Sequence, residues 1–548
     1  MISLIDLGID LDAITDPNIR TAITQLFNLV EKLASENDKL RAENQALRDE
    51  VARLKGEQGQ PHIRGRNHKS DISSEQERKA GSKRKPKHHK SKSSLKITRT
   101  ETVVIDRSTL PADAVSKGYD TSIVQDLVIT TDVIELKRET YYSPSRHRSF
   151  TAPVPAGYEG GFGPRLKAVT ILLKTIGNMT ESPIAKVFES FGVNISKSSI
   201  DRILLKDKQP FHDEKQAIFT AGITSTSYQH IDDTAARVKG TNQHSHVICN
   251  PFYSAFFTRE HKDRLTVLTI LSQVDSRGKL PYTWNAEANV ILQTMGWPNK
   301  HDRLLELLPR GRPLTHGELT LFCSEYNLSK AYTARLMEAM AVAAYHERTD
   351  IPIVPIFMAD DAPQFKLLTE LLALCWIHDG RHYKKLQPRL VQHRKLLDSF
   401  LDQYWSFYHE LLDYKADPSP EQAKVLSEQF ARLFATVTGY DQLDDRIAKT
   451  LAKKQELLLV LKHPELPLHN NPAELGARAQ VRKRDVSLHT MTDEGTKVVD
   501  TFLTITETAK KLGVNIYDYL LDRITGTYRM PSLAVVIREK SGQVPTTA

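Results

Sequence analysis

The length, composition and charge of the chain limit the classes of protein to which it can belong. It has 548 residues, 40% hydrophobic and 26% charged, with a net charge of +8. At about 150 residues per domain, three or four folded units are expected. The composition is that of a globular protein, and no run of about 18 apolar residues predicts a membrane span. The modest positive charge is compatible with a polyanionic partner.

The sequence pattern also lacks the features expected of a secreted protein. The first residues lack the basic region and cleavage site of a secretory signal, so a cytoplasmic location is expected. The three cysteines, Cys249, Cys323 and Cys375, are far apart and form no C-x-x-C pair. The sequence therefore indicates neither a disulfide framework nor a thiolate zinc site, and no zinc is expected.

Residues 18–56 carry a heptad repeat that predicts a parallel two-stranded coiled coil, and hence a homodimer. Glutamates at the g positions face Arg or Lys at the e positions of a partner helix in three pairs, Glu36 with Arg41, Glu43 with Arg48 and Glu50 with Lys55. The alternative is one helix packed on the body of its own chain. The predicted dimerisation residues are Leu26, Leu33, Asn37, Leu40, Asn44, Leu47 and Leu54.

Two segments without helical periodicity follow the predicted coiled coil. Residues 57–95 are almost free of apolar side chains, which predicts a disordered basic linker. This linker is either a solvated tether or a non-specific phosphate-binding segment, through Lys83, Arg84, Lys85 and Lys87. Residues 96–156 contain β-branched stretches, Thr102–Ile105 and Ile123–Leu136, which predict a small β-rich module.

A helical DNA-binding region is predicted over residues 160–215. One short helix is expected to begin with Ser182 as its cap and Pro183 at its first position, and to stop at Gly192. A second is expected to run from a Ser196 cap to Leu205, so that the pair forms a helix-turn-helix. Lys197, Ser198 and Arg202 would then face a major groove, with two helices that never touch DNA as the alternative.

Three acidic positions are the candidate catalytic residues. Asp232 follows the extended run 225–231, Asp360 follows the apolar run 353–359, and Glu474 is expected in the first turn of a helix capped by Asn471. If these carboxylates converge, their repulsion implies two Mg²⁺ or Mn²⁺ ions, a site suited to in-line phosphoryl transfer. Their neighbours Asp233 and Asp361 remain open alternatives.

At this point the motifs resemble those of the insertion-sequence 66 family of DDE transposases. His230-Ile231-Asp232-Asp233-Thr234 looks like the His-x-Asp-Glu-Thr motif of that family, and Ala359-Asp360 followed by Phe365 looks like its second-acid motif. Cys375-Trp376-Ile377-His378, with Arg381 and Tyr383, is similar to its Cys-Trp-x-His segment. Asn470-Asn471-x-x-Glu474, followed by Arg478, resembles the third motif, and Glu507 to Tyr519 resembles the C-terminal signature.

The resemblance implies a multidomain α/β protein. Its catalytic core would be an RNase H-like mixed sheet over residues 222–490, with helical insertions at about 284–348 and 366–465, followed by a C-terminal helical region and tail over 491–548. Asp232, Asp360 and Glu474 would hold the metal ions. Arg478 and Arg482 are the expected DNA-binding residues of the third motif, with structural pairing as the alternative for Arg478.

The sequence departs from the family pattern in three places. Residues 96–155 contain no cysteine where relatives usually carry a zinc-binding module. The first two acids are 360 − 232 = 128 positions apart, which is longer than expected. Position 469 is His where Asp is expected.

The function implied is that of a bacterial insertion-sequence transposase. It would bind element ends and target DNA as a dimer, then cleave and join DNA with metal ions, and accessory transposition proteins are a further class of partner. Two alternatives are kept: a dimeric DNA-binding protein derived from a transposase without catalytic activity, and an RNase H-like nuclease without strand transfer.

Overall fold

The structure is a computed structural model that describes residues 8–9, 11, 13–54, 96–111, 113–298 and 301–542. The predicted linker over 57–95, with Lys83, Arg84, Lys85 and Lys87, lies outside these residues. The strands are β1 (Thr140–Ser143), β2 (Arg148–Thr151), β3 (Tyr228–Val238), β4 (Thr241–Cys249), β5 (Ser254–Arg259), β6 (Ile356–Ala359) and β7 (Leu371–Leu374).

The helices fall into two groups along the chain, one before β6 and one after β7. Those before β6 are α1 (Pro17–Leu54), α2 (Pro164–Thr175), α3 (Glu181–Ser190), α4 (Lys197–Leu205), α5 (Gln209–Thr224), α6 (Arg264–Leu271), α7 (Ala286–Thr294), α8 (Asp302–Leu305), α9 (His316–Glu325) and α10 (Lys330–His346). Those after β7 are α11 (Trp376–Lys384), α12 (Val391–Ala416), α13 (Pro420–Leu433), α14 (Asp441–Leu451), α15 (Lys454–Leu457), α16 (Asn471–Ser487), α17 (Asp493–Leu512), α18 (Ile516–Ile524) and α19 (Leu533–Lys540). No helix among the described residues is long and apolar enough to cross a membrane.

The central sheet is mixed, with the strand order β5-β4-β3-β6-β7. The first three strands are antiparallel neighbours, whereas β6 and β7 run parallel to β3. Three buried hydrophobic clusters cover the sheet. The first joins β3–β6 to α2–α10 and to the C-terminal helices, the second joins β6 and β7 to α11–α15, and a small third joins β4 and β5 to α16 and α17. The mixed α/β architecture expected from the sequence is therefore observed.

The edge strand β5 is covered by side chains of α17 instead of by another strand. Backbone N–H groups of Ser254, Phe256 and Thr258 donate to side-chain oxygens of Thr508, Thr504 and Asp500, at 3.2, 3.1 and 2.6 Å respectively. Three acceptors at four-residue spacing lie on one helix face, and alternate N–H groups of a strand point to one side. The C-terminal region thus satisfies the backbone of an edge strand that would otherwise be open.

The helical insertion after Asp360 begins later than predicted. The expected range was 366–465, but Leu371–Leu374 is strand β7 of the central sheet, and the helices begin at Trp376. A four-residue apolar run pairs with β6 in parallel, and a strand this short leaves no periodicity by which sequence analysis could separate it from a helix.

The predicted β-rich module of residues 96–156 is wrong in its extent. Among the described residues of this range only β1 and β2 form a ladder, and Thr102–Ile105 and Ile123–Leu136 do not form the expected strands. Val103, Val124 and Val133 are more than 80% exposed. β-branched residues favour an extended backbone, but a strand also needs a partner ladder and one buried face, and these segments have neither within the described chain.

Helix α1 presents two different faces. Its first half packs on the body: Phe27 and Glu31 are only 2% exposed, and the Glu31 carboxylate accepts hydrogen bonds from the backbone of Arg389 and Leu390 and from His393 Nδ1. The predicted seam leucines, in contrast, are all exposed by more than half: Leu26, Leu33, Leu40, Leu47 and Leu54. The intramolecular alternative therefore holds for one face, and the leucine seam stays open for the predicted partner.

The two predicted helix-turn-helix elements are present as α3 and α4. Helix α3 begins at Glu181 with Thr180 at its cap position, so the prediction of a Ser182 cap is wrong by two residues. Helix α4 begins as predicted, because the Ser196 hydroxyl accepts the backbone N–H of Ser199. Ile184, Ile200 and Leu204 are buried, and this shared core fixes the angle between the helices.

Candidate active site

Asp232 and Asp360 come from neighbouring parallel strands. The register pairs His230 of β3 with Met358 of β6, and continuing it by two residues sets Asp232 beside Asp360 on the same face of the sheet. Asp232 was expected at a strand end, but it lies within β3, which continues to Val238 alongside β4. Asp232 lies where the pairing of β3 with the shorter strand β6 ends. Its side chain is therefore at an open edge of the sheet, although the residue itself is within β3.

The acids next to these two residues are held in other interactions. Asp361 forms ion pairs with Lys366, at 2.8 Å, and with Lys453. Burial raises the pKa of Asp361, but the two lysines outweigh it and hold that pKa below its usual value. Asp233 accepts a hydrogen bond of 2.6 Å from Gln364 Nε2. The four acids therefore divide into two kinds. Asp233 and Asp361 are held by other side chains, whereas Asp232 and Asp360 face each other without a lysine between them.

The start of α16 is tied directly to β3, and this places Glu474. Asn470 Nδ2 donates to the carbonyl oxygen of Ile231 at 2.7 Å, so Asn470 Oδ1 must be the acceptor toward His230 Nδ1, at 2.9 Å. Burial lowers the pKa of His230 to about 3, which keeps the ring neutral with its proton on Nδ1. The helix was expected to begin after an Asn471 cap, whereas Asn470 occupies the cap position and uses its side chain for β3 instead.

A glycine allows α16 to lie close to the sheet. A Cβ atom at Gly476 would come within 2.7 Å of Val247 Cγ1 on β4. Helix and strand can approach this closely only without that side chain. Glu474, two residues earlier in the same helix, is thereby brought down to the sheet edge where Asp232 and Asp360 lie.

The three carboxylates create an electrostatic problem that a cation would solve. Burial raises the pKa of Asp232 to about 7, and the carboxylates of Asp360, Asp233 and Glu474 add to the rise. Burial likewise raises the pKa of Asp360. Oxygen donors that repel one another in a half-buried pocket are the donor set that Mg²⁺ and Mn²⁺ prefer. The residues present therefore fit a divalent metal site.

Glu474 has a partner that sequence analysis did not find. Arg381 Nη2, from α11, donates to Glu474 Oε2 at 3.1 Å. Arg478, the candidate chosen for its spacing on α16, is exposed, as is Arg482. The two partners are 474 − 381 = 93 positions apart, so helical periodicity could not have found them. The only sequence signal was the position of Arg381 three residues after His378.

Cys375, His378 and Glu474 place a thiol sulfur, a ring nitrogen and a carboxylate oxygen within 4.8 Å of one another. The sulfur already accepts the backbone N–H groups of His378, at 3.4 Å, and Asn470, at 3.3 Å. These contacts favour a structural role for Cys375 over a metal-ligand role.

An open cavity of about 470 Å³ adjoins Asp360. Its wall is formed by α11 and by the loop after β6, with Lys453 from the helical insertion. The residues that carry charge or a ring nitrogen on this wall are Asp360, Asp361, His378, Asp379, Arg381, His382, Lys385 and Lys453. Of the three candidate acids, Asp360 is thus reachable from this cavity.

The predicted DNA-contact residues of the helix-turn-helix are on the surface. Lys197, Ser198 and Arg202 are all exposed on α4. A separate cavity of about 590 Å³ lies beside this helix and includes Arg202 and Lys206 in its lining. None of the three acids lines it, so the candidate chemistry and the candidate DNA-reading helix occupy different places.

Comparison with known proteins relates the chain to a described family. Residues 356–498 match the model of the family described as "Transposase IS66 family". That span includes Asp360, Arg381 and Glu474, whereas Asp232 precedes it. The chain is also similar to the uncharacterized protein y4jO of Sinorhizobium fredii (strain NBRC 101917 / NGR234), with 30% identity over 309 residues, 56% of this chain and 94% of that protein. By this likeness and by the family match, the chain belongs to the IS66 transposase family.

Proposed function

We propose that this protein is a DDE transposase that binds the ends of its element, cleaves them and joins them to target DNA. The proposal is supported by the register of β3 and β6, which leads to Asp232 and Asp360 on neighbouring strands, and by the tie of α16 to β3 through Asn470, which brings Glu474 toward them. Membership of a transposase family and an RNase H-like reading of this sheet support it. DNA is the substrate that such a family implies.

The roles of the residues follow from their surroundings. Asp232, Asp360 and Glu474 are the proposed ligands of two Mg²⁺ or Mn²⁺ ions. Bound in such a pair, the ions would activate the attacking water or 3′-hydroxyl and stabilise the leaving oxygen. The protein contributes the geometry: β3 and β6 fix two acids side by side, and Asn470 fixes the helix that brings the third.

DNA binding is assigned to exposed cations outside the acidic edge. Lys197, Ser198 and Arg202 on α4 are proposed to read the element ends, and Arg478 and Arg482 on α16 to hold phosphates near the acids. The basic segment with Lys83, Arg84, Lys85 and Lys87 is proposed to add non-specific affinity.

A second copy of the chain is the proposed partner of the exposed leucine seam on α1. The seam is apolar along one stripe and is flanked by glutamates and arginines that would pair across a parallel dimer. Because the body-facing stripe of α1 is separate, dimerisation would not require α1 to leave its own chain. A dimer would hold two element ends together.

The proposal is tested by incubating purified protein with DNA that carries its element's ends, a target plasmid and Mg²⁺ or Mn²⁺. Wild type is compared with Asp232→Asn, Asp360→Asn and Glu474→Gln, and Asp361→Asn is the matched control for a neighbouring acid. Cleavage and joining that are lost in the first three variants support the proposal. Cleavage without joining would indicate a nuclease, and binding without cleavage would indicate a DNA-binding protein without catalytic activity.

A further inference from the structure

Helix α11 holds two residues, His378 and Arg381, that contact the third proposed acid and that the proposed mechanism has not yet used. The ring of His378 is about three-quarters buried, with Nδ1 3.6 Å from Glu474 Oε1. Arg381 Nη2 lies 3.1 Å from Glu474 Oε2. One oxygen of the carboxylate therefore faces the histidine, and the other faces the arginine.

The contact between His378 and Arg381 determines which ring nitrogen carries the proton. Arg381 Nη1 and His378 Nε2 lie 3.1 Å apart. A guanidinium can only donate, so Nε2 must accept and the neutral ring carries its hydrogen on Nδ1. That hydrogen is on the nitrogen closest to Glu474, but Nδ1 is 3.6 Å from Glu474 Oε1, beyond hydrogen-bond distance, and is buried without a hydrogen-bond partner. Arg381 thus donates to both His378 and Glu474, and the third side of this triangle, from His378 Nδ1 to Glu474 Oε1, is a contact in which an unpaired donor faces a carboxylate oxygen.

The position of His378 is imposed by the fold. Trp376, fully buried, donates from Nε1 to the carbonyl oxygen of Leu457 and from its backbone to Leu468. Cys375 Sγ accepts N–H groups from His378 and Asn470, at the first turns of α11 and α16. The helix that carries the triangle's two donors is therefore fastened to the helix that carries Glu474.

We propose that His378 and Arg381 are positioning residues that fix the rotamer of the Glu474 carboxylate for divalent metal binding. The inference rests on the proposed function, because it takes Glu474 as a metal ligand. Each carboxylate oxygen has two acceptor directions, so the Arg381 N–H on Oε2, with the His378 N–H facing Oε1, leaves a direction free on each oxygen for a cation. Groups that orient a ligand in this way typically change metal affinity by about 10–100-fold when they are removed.

The variants are chosen so that charge and geometry are separated. Arg381→Lys keeps the positive charge but loses the fork that reaches Glu474 and His378 together. His378→Phe keeps a ring but removes both nitrogens, whereas His378→Asn places an amide N–H near the position of Nδ1. Matched controls are Arg432→Ala and His409→Ala, since both residues are exposed on helices of the same insertion.

The experiment is calorimetric titration of the full-length protein with Mn²⁺, without DNA. We expect Arg381→Lys and His378→Phe to bind Mn²⁺ at least about tenfold more weakly than wild type, and His378→Asn to recover most of the loss. The double variant should lose less than the product of the single losses, because the two residues act as one unit. Circular dichroism and the two controls establish that folding is unchanged.

The result of the Mn²⁺ titration tests the positioning roles independently of the proposed function. Mn²⁺ binding that depends on Glu474, His378 and Arg381, in a protein that cuts no DNA, supports the positioning roles and refutes the transposase assignment. Mn²⁺ affinities of the folded Arg381→Lys and His378→Phe variants within twofold of wild type would overturn the positioning roles, even if DNA cleavage is intact. A wild type that binds no Mn²⁺ would overturn them too.

Discussion

Replacing Asp232 with Asn should make the metal-free protein more stable while abolishing its proposed activity. Burial, together with the carboxylates of Asp360 and Glu474, raises the pKa of Asp232 from 3.8 to about 7. A shift of about three pH units corresponds to about 4 kcal/mol that the ionised form costs the folded state. This value is an upper limit, because the new amide must also satisfy its own polar groups in a half-buried site.

The sign of the pH dependence follows from the direction of the shift. Between about pH 4 and pH 7 the folded protein retains a proton on Asp232 that the unfolded chain has released, so wild-type stability falls as the pH rises. The advantage of Asp232→Asn should therefore be absent near pH 4, grow toward pH 7 and stay constant above it. The gain should be several degrees in Tm at pH 8.

The assay is thermal unfolding in EDTA at pH 5 and pH 8, repeated with Mn²⁺. In Mn²⁺ the order should reverse, since a ligand that binds only the folded state stabilises the protein that binds it better. Asp361→Asn is the control, and it should lower Tm, because its ion pairs with Lys366 and Lys453 are lost. If Asp232→Asn melts no higher than wild type in EDTA at pH 8, the three acids do not repel one another as described.

Three further predictions concern the other parts of the molecule. Glu31→Ala should leave the backbone N–H groups of Arg389 and Leu390 unpaired, so we expect faster hydrogen exchange at the start of α12. Unchanged exchange would show that Glu31 does not hold α1 in place. Replacing Asn37 and Asn44 with Ile should loosen the preference for a dimer, and a strictly dimeric mass in sedimentation would contradict the coiled-coil assignment. Arg202→Ala should weaken binding to element ends and, if Arg202 contacts a phosphate, reduce the salt slope by about 1, whereas an unaffected affinity would remove α4 from the DNA interface.

Local patterns in the sequence were sufficient for much of the fold. The Ser196 cap predicted the start of α4, and an apolar run ending in acid predicted β6 and the place of Asp360. The heptad leucines predicted α1. These features depend on residues a few positions apart, whose hydrogen bonds and periodicity are fixed by the geometry of one helix or strand.

Contacts between distant segments could not be predicted from such local patterns. The motif spacing favoured Asp360 over Asp361, but only the fold shows that Asp361 is engaged by Lys366 and Lys453 while Asp360 lies beside Asp232. Likewise, Arg381 and not Arg478 reaches Glu474.

The same limit explains the failed prediction of strands and bears on the two alternatives for α1. The β-branched stretches of residues 96–156 predicted strands, but a strand needs a partner, and among the described residues of this range only β1 and β2 have one. Helix α1 was expected either to pair with a second copy or to pack on its own body, and its separate faces allow both. The sequence determines which backbone each segment prefers, whereas packing between segments determines which side chains meet, because burial and pairing depend on neighbours far along the chain.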